Sequence, residues 1–183
     1  MSIAATVDGR PVAVTEVDDR EAALRASPQS AALPRPGTSE GRQLRRWLTQ
    51  LLVTERVVAL QADALGARVD GGTPAECDLL PDLTARLEIG SVAAAVLADP
   101  LARAVYVRVT DDVAIDESAV AGYRRRNPNR AGDDDAIAAM LQGAARRRAF
   151  RIWLAQRSAA LVWLAPGYEH PGDPRQPDNT HKH

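Results

Sequence analysis

Apolar residues recur along the chain at two different spacings. Ile3 to Val7 and Pro11 to Val14 are short β-prone runs, and Asp8-Gly9 between them is a dipeptide that favours a tight hairpin. The chain then turns helical. Thr15 followed by Asp18 resembles a capping box for a short polar helix to Arg25, and the proline-bearing stretch Ser27 to Gly37 predicts a loop. Thr38 or Ser39 can cap the strongest periodic element. In it Leu44, Leu48, Leu51, Val58, Ala62 and Leu65 recur every three or four residues. Gly66 ends this helix, with Val69 placed to pack back on it.

Further starts follow at Thr73-Pro74-Ala75-Glu76, where Thr73 caps, Pro74 takes the first helical position and Glu76 completes the box, and at Ser91, Asp99-Pro100 and Asp116. The helix opened by Asp116 stops at Asn127-Pro128, because proline disfavours helix in the residue before it. Asp133 to Asp135 open the last long helix, and Arg146 to Arg148 and Arg151 lie toward its other end, an order that complements the helix dipole. Ser158 to Leu164 has the composition of a strand, closed by Pro166-Gly167. The expected fold is mainly α: a helical domain with a small antiparallel β element pairing N-terminal and C-terminal strands. Residues 1–165 form the helical domain and 166–183 a Pro/Asp/His-rich tail.

Composition narrows the picture. Apolar residues make up 45% of the 183-residue chain but aromatics only 4%, so the core is built from Ala, Leu and Val. With 23 Lys+Arg against 24 Asp+Glu, no dominant nucleic-acid or acidic-membrane surface is expected. The runs Arg124 to Arg126 and Arg146 to Arg148 read as solvated or paired with Asp133 to Asp135. No secretory signal or membrane-length apolar run is visible, so a cytoplasmic location is expected. The single cysteine, Cys77, is expected to be a small core residue beside Leu79 and Leu80.

The order of parts resembles the chaperone module of SurA- and PrsA-type proteins, parvulin-class peptidyl-prolyl isomerases. The residues that carry the likeness are the Val-Asp-Gly-x-Pro-Val turn (Val7 to Val12) and the Leu-rich helix ending in Ala-Leu-Gly-Ala-Arg-Val (Ala64 to Val69). Val109-Thr110-Asp111-Asp112 and the helix with Tyr123 and Asn127-Pro128 complete them. The resemblance implies that the N-terminal strand pairs with a C-terminal strand and that helices wrap the pair. Such proteins insert a catalytic parvulin domain after the Tyr-x-x-x-Asn-Pro point, where this chain has only Asn129 to Gly132 before its final helix, so isomerase activity is not implied.

The candidate chemistry is concentrated in the tail. All three histidines, His170, His181 and His183, lie there with Glu169, Asp173 and Asp178. Imidazole and carboxylate are the usual ligands of Zn, Fe, Mn, Ni or Cu, and His181 and His183 point the same way in an extended chain. His170, His181 and His183, with Asp173 and Asp178, are thus the expected ligands of a divalent transition metal, and Glu169 a ligand or catalytic base. Glu55 is the interior catalytic candidate, because it falls on the seam set by Leu48, Leu51, Leu52 and Val58, where a charge needs a partner. The expected function is an accessory or chaperone-like binding protein for a protein client, with a metal-binding tail. The alternative is a small metal-dependent enzyme whose tail folds over an apolar helical pocket and a small-molecule substrate. Natural-product pathways of high-GC bacteria use small proteins of this kind, and the Ala- and Arg-rich usage suggests such a source.

Overall fold

The computed structural model describes residues 2–129 and 131–179. Strands β1 (Ile3–Val7) and β2 (Arg10–Ala13) form the expected hairpin, with Val7 opposite Arg10. A two-residue connection between right-twisted strands needs positive φ at both turn residues, and Asp8 (φ 50°) and Gly9 (φ 74°) supply it. Helix α1 (Val14–Arg25) follows directly. It starts before Thr15: the Ala13 N–H donates to the Glu16 carboxylate at 2.8 Å, so Glu16 rather than Thr15 or Asp18 provides the cap.

Helix α2 (Ser39–Leu65) is opened by Thr38, whose Oγ1 accepts the Gly41 N–H at 3.0 Å. It closes on Gly66 at φ 64°. The Gly66 N–H donates to the Asp63 carbonyl and the Ala67 N–H to the Ala62 carbonyl, the paired bonds of a Schellman ending. Buried Ala67 packs back where Val69 was expected, and Val69 is exposed.

The remaining helices are α3 (Glu76–Leu79), α4 (Leu83–Ile89), α5 (Ser91–Val96), α6 (Pro100–Val109), α7 (Glu117–Arg126) and α8 (Asp134–Leu161). Asp99 and Asp116 cap α6 and α7 as expected, accepting N–H bonds from Leu101 and Ala119. Helix α3 begins two residues after Pro74; its cap is Asp78, which accepts the Ala75 N–H. Cys77 on this single turn is exposed and not a core residue, because a four-residue helix buries one side and Leu79 takes it. Helix α4 has no counterpart in the sequence-based expectation. Strand β3 is shorter than expected, Val162–Leu164, because Ser158 to Leu161 continue α8. Alanines 159 and 160 favour helix, and only Val162 and Trp163 favour strand.

The chain divides into two compact units. The first, residues 1–57 and 157–183, carries a three-stranded antiparallel sheet in the order β2-β1-β3, with Ala5 opposite Leu164 and Val7 opposite Val162. The expected pairing of N-terminal and C-terminal strands is thus present. Its core joins Ala4, Val7, Val12 and Val17 to Leu48, Val53 and Val57 of α2. The second unit, residues 58–156, has an alanine-rich interior centred on Phe150, which is fully buried 5.0 Å from Tyr106 and 5.7 Å from Trp153. Arg147, expected at the surface, is buried here, donating to Glu88 and to the Leu79 carbonyl. No helix among the described residues is long and apolar enough to cross a membrane.

Candidate functional site

Helix α2 turns its leucine face to the core of the first unit. Its first two turns carry Arg42, Arg45 and Arg46 beside that face. Cations at a helix N-terminus oppose the helix dipole, so three arginines there need anionic partners. Arg45 finds its partners on α1: it donates to Glu21 at 2.7 Å and to Asp18 at 2.6 Å. Burial raises the Glu21 carboxyl, but hydrogen bonds from Arg45 and Arg25 outweigh it and hold the group below its ordinary value of 4.5.

Arg42 and Arg46 find theirs in the C-terminal segment. Arg42 grips Asp178 with two bonds, Nη2 to Oδ1 at 2.5 Å and Nε to Oδ2 at 3.1 Å. Arg46, buried, donates to Asp178 Oδ2 at 2.7 Å and to the Gly167 carbonyl at 3.3 Å. The Asp178 side chain is itself largely covered. Hydrogen bonds from Arg42 and Arg46 hold its carboxyl down at about 2. Residues 166–179, the described part of the expected tail, fold back onto the first unit, with Tyr168 packed against its core and Gln176 buried. A concavity of about 540 Å³ lies beside the clamp, lined by Arg46, Glu169, Asp173, Arg175 and Gln176 among others.

The other candidates are held by similar local bonds. Asp173 accepts the Arg175 N–H at 2.9 Å and pairs with the Arg175 guanidinium at 2.8 Å, which brings its carboxyl to about 2. Glu169 accepts the Gly167 N–H at 2.8 Å. Its carboxyl is lowered chiefly by its own backbone N–H; burial works against this, and bonds from Gln176 and Gly167 add to the lowering. A carboxyl held low is a poor proton acceptor at neutral pH. His170 is exposed, and its Nδ1 accepts the Gly172 N–H at 3.0 Å; in the neutral ring this leaves the proton on Nε2. Glu55 makes a two-pronged pair with Arg20, at 3.0 and 2.7 Å, at the edge of the core rather than within it. His181 and His183 lie outside the described residues. Among the described residues no three His, Cys, Asp or Glu side chains are grouped to hold a metal ion. The structure thus brings Glu169 and Asp173 to one concavity with Arg46, and it commits both oxygens of Asp178 to arginine.

Two features went unread in the sequence. The arginines of α2 carried a usable signal, cations in the first turns of a helix. In the second unit, Leu83 and Leu87 lie one turn apart on α4, 70% and 73% exposed. Pro81-Asp82 ahead of them was a legible helix start: the Asp82 carboxylate accepts the Ala85 N–H at 2.8 Å.

A family model described as a family of unknown function (DUF7158) matches residues 3–40, which covers the hairpin, α1 and the loop leading to α2. No curated protein and no solved structure matches the chain.

Proposed function

We propose that the chain is a cytoplasmic, chaperone-like binding protein, built on a SurA-like scaffold without an isomerase domain, that holds apolar segments of a protein client. The observation that carries this is the leucine pair of α4. Large aliphatic side chains seldom stand together in water without a partner. Leu83 and Leu87 stand one turn apart on a helix whose inner face, Ala85 and Ile89, is already buried in the second unit. The spacing suits an extended or helical apolar segment lying along the helix. The strand pairing of β1 with β3 agrees with the same scaffold. The direct test is light scattering of heat-unfolded citrate synthase with increasing amounts of the chain. Suppression of aggregation at near-stoichiometric ratios is expected, and no suppression at a large excess would refute the proposal.

A further inference from the structure

We infer that Arg42 and Arg46 form an oxyanion-binding site whose resident ligand is the chain's own Asp178, so that the C-terminal segment is a displaceable strap over it. Two guanidiniums converge on one carboxylate, one of them through a parallel pair of bonds, which is the geometry by which arginine selects carboxylate and phosphate. The site is built before the strap arrives. Arg42 and Arg46 stand one turn apart on a helix anchored by its leucine face, and Arg42 is further fixed by donating to the Gly37 carbonyl at 3.1 Å.

With the segment in place but its carboxylate removed, Arg46 would be a nearly buried cation at the positive end of a helix, an unfavourable placement on both counts. With the segment displaced, Arg42 and Arg46 remain two cations in the first turns of a helix, a placement that favours an anion. Besides Asp178, the strap is held by Tyr168, which packs on the core and accepts from Arg45 at 3.5 Å, by the bond from Arg46 to the Gly167 carbonyl at 3.3 Å, and by buried Gln176; the ion pair of Arg175 with Asp173 is internal to it. The adjoining concavity, with Arg46 on its wall, gives room for the remainder of a ligand larger than the carboxylate. The ligand class is an oxyanion offering two coplanar oxygens, a phosphate or a carboxylate.

The test is calorimetric titration of the full chain with inorganic phosphate and, separately, acetate at matched ionic strength. A tethered carboxylate competes at an effective concentration on the order of millimolar, so the unmodified chain should bind these anions weakly. Asp178→Asn should bind one of them at least ~10-fold more tightly, with a ligand-dependent rise in Tm. A gain for phosphate alone assigns the site to phosphate, and a gain for acetate alone assigns it to carboxylates; either supports the inference. No gain in a folded Asp178→Asn overturns it. So does a gain that survives Arg42→Gln in the same background, which would mark an adventitious ion only. A second measurement uses the unmodified chain. Phosphate or acetate in excess should release the strap and speed tryptic cleavage after Arg175 several-fold over chloride, and a rate unchanged by both anions overturns the inference.

Discussion

Replacing Leu83 and Leu87 together by glutamine separates client binding from stability. Leucine and glutamine have similar helix propensities, and both side chains are more than two-thirds exposed, so the fold should lose no more than about 0.5 kcal/mol. Binding should lose far more. Fully burying a leucine is worth about 1.5–3 kcal/mol. With 70% and 73% of each residue still in water, a client that covers both gains roughly 1–2 kcal/mol from each, or about 2–4 kcal/mol together. At about 1.4 kcal/mol per tenfold, that is a loss of roughly 30-fold or more in affinity. The assay is fluorescence anisotropy of a labelled apolar peptide derived from the aggregating client, with Tm followed in parallel. Leu83→Met with Leu87→Met keeps the apolar surface and should bind as the unmodified chain does. A glutamine double variant of unchanged Tm that binds within about threefold of the original would refute the assignment of α4 as the client-binding face.

Other outcomes follow from the interior and from the caps. Phe150→Ala removes the centre of the aromatic cluster in the second unit and should cost about 3–5 kcal/mol, seen as a lower urea midpoint; a loss under about 1 kcal/mol would show that the cluster does not carry that core. Gly66→Ala should cost about 1–2 kcal/mol, since no atom lies within 4 Å of an added Cβ and only the positive φ penalises it; Gly66→Asn, which tolerates that region, should cost less in the same melts. Glu21 has a folded-state pKa below its ordinary 4.5, so its pairs with Arg25 and Arg45 stabilise the fold fully above about that pH. That contribution is lost as the pH falls through the lower folded value. Glu21→Gln should therefore be less stable than the parent at neutral pH, and the two should converge on acidification; a difference that persists unchanged in acid would contradict the ion-pair origin.

What the sequence made legible was whatever depended on near neighbours. Asp8-Gly9, Asp99-Pro100, Asp116 and Gly66 each act within four residues, and each does what its chemistry predicts. The failures are of two kinds. Glu16, Asp78 and Ala67 took roles expected of Asp18, Glu76 and Val69, because several residues of the right type stood close together and packing chose among them. The partners of Asp178 and Glu55 were illegible for a different reason. Those partners, Arg42 with Arg46 and Arg20, are 136, 132 and 35 positions away, and no local pattern reports such a pairing. The tail drew notice for its histidines, whereas the residue that fastens it is an aspartate, seen only once α2 is in place.

The strand order has a consequence for the newly made chain. Strand β1 sits in the middle of its sheet, yet one of its two neighbours, β3, is synthesised roughly 150 residues later. At typical elongation rates of about 5–20 residues per second, β1 leaves the ribosome with one bare edge for roughly 8–30 s. An unpaired edge is a template for the wrong partner. Residues 58–156 emerge during that interval and can collapse on their own local contacts, while the first unit closes last, when residues 162–164 arrive. Conditions that slow translation should therefore lengthen the time in which the N-terminal hairpin is vulnerable, and a released chain cut short ahead of Val162 would keep that edge of β1 open.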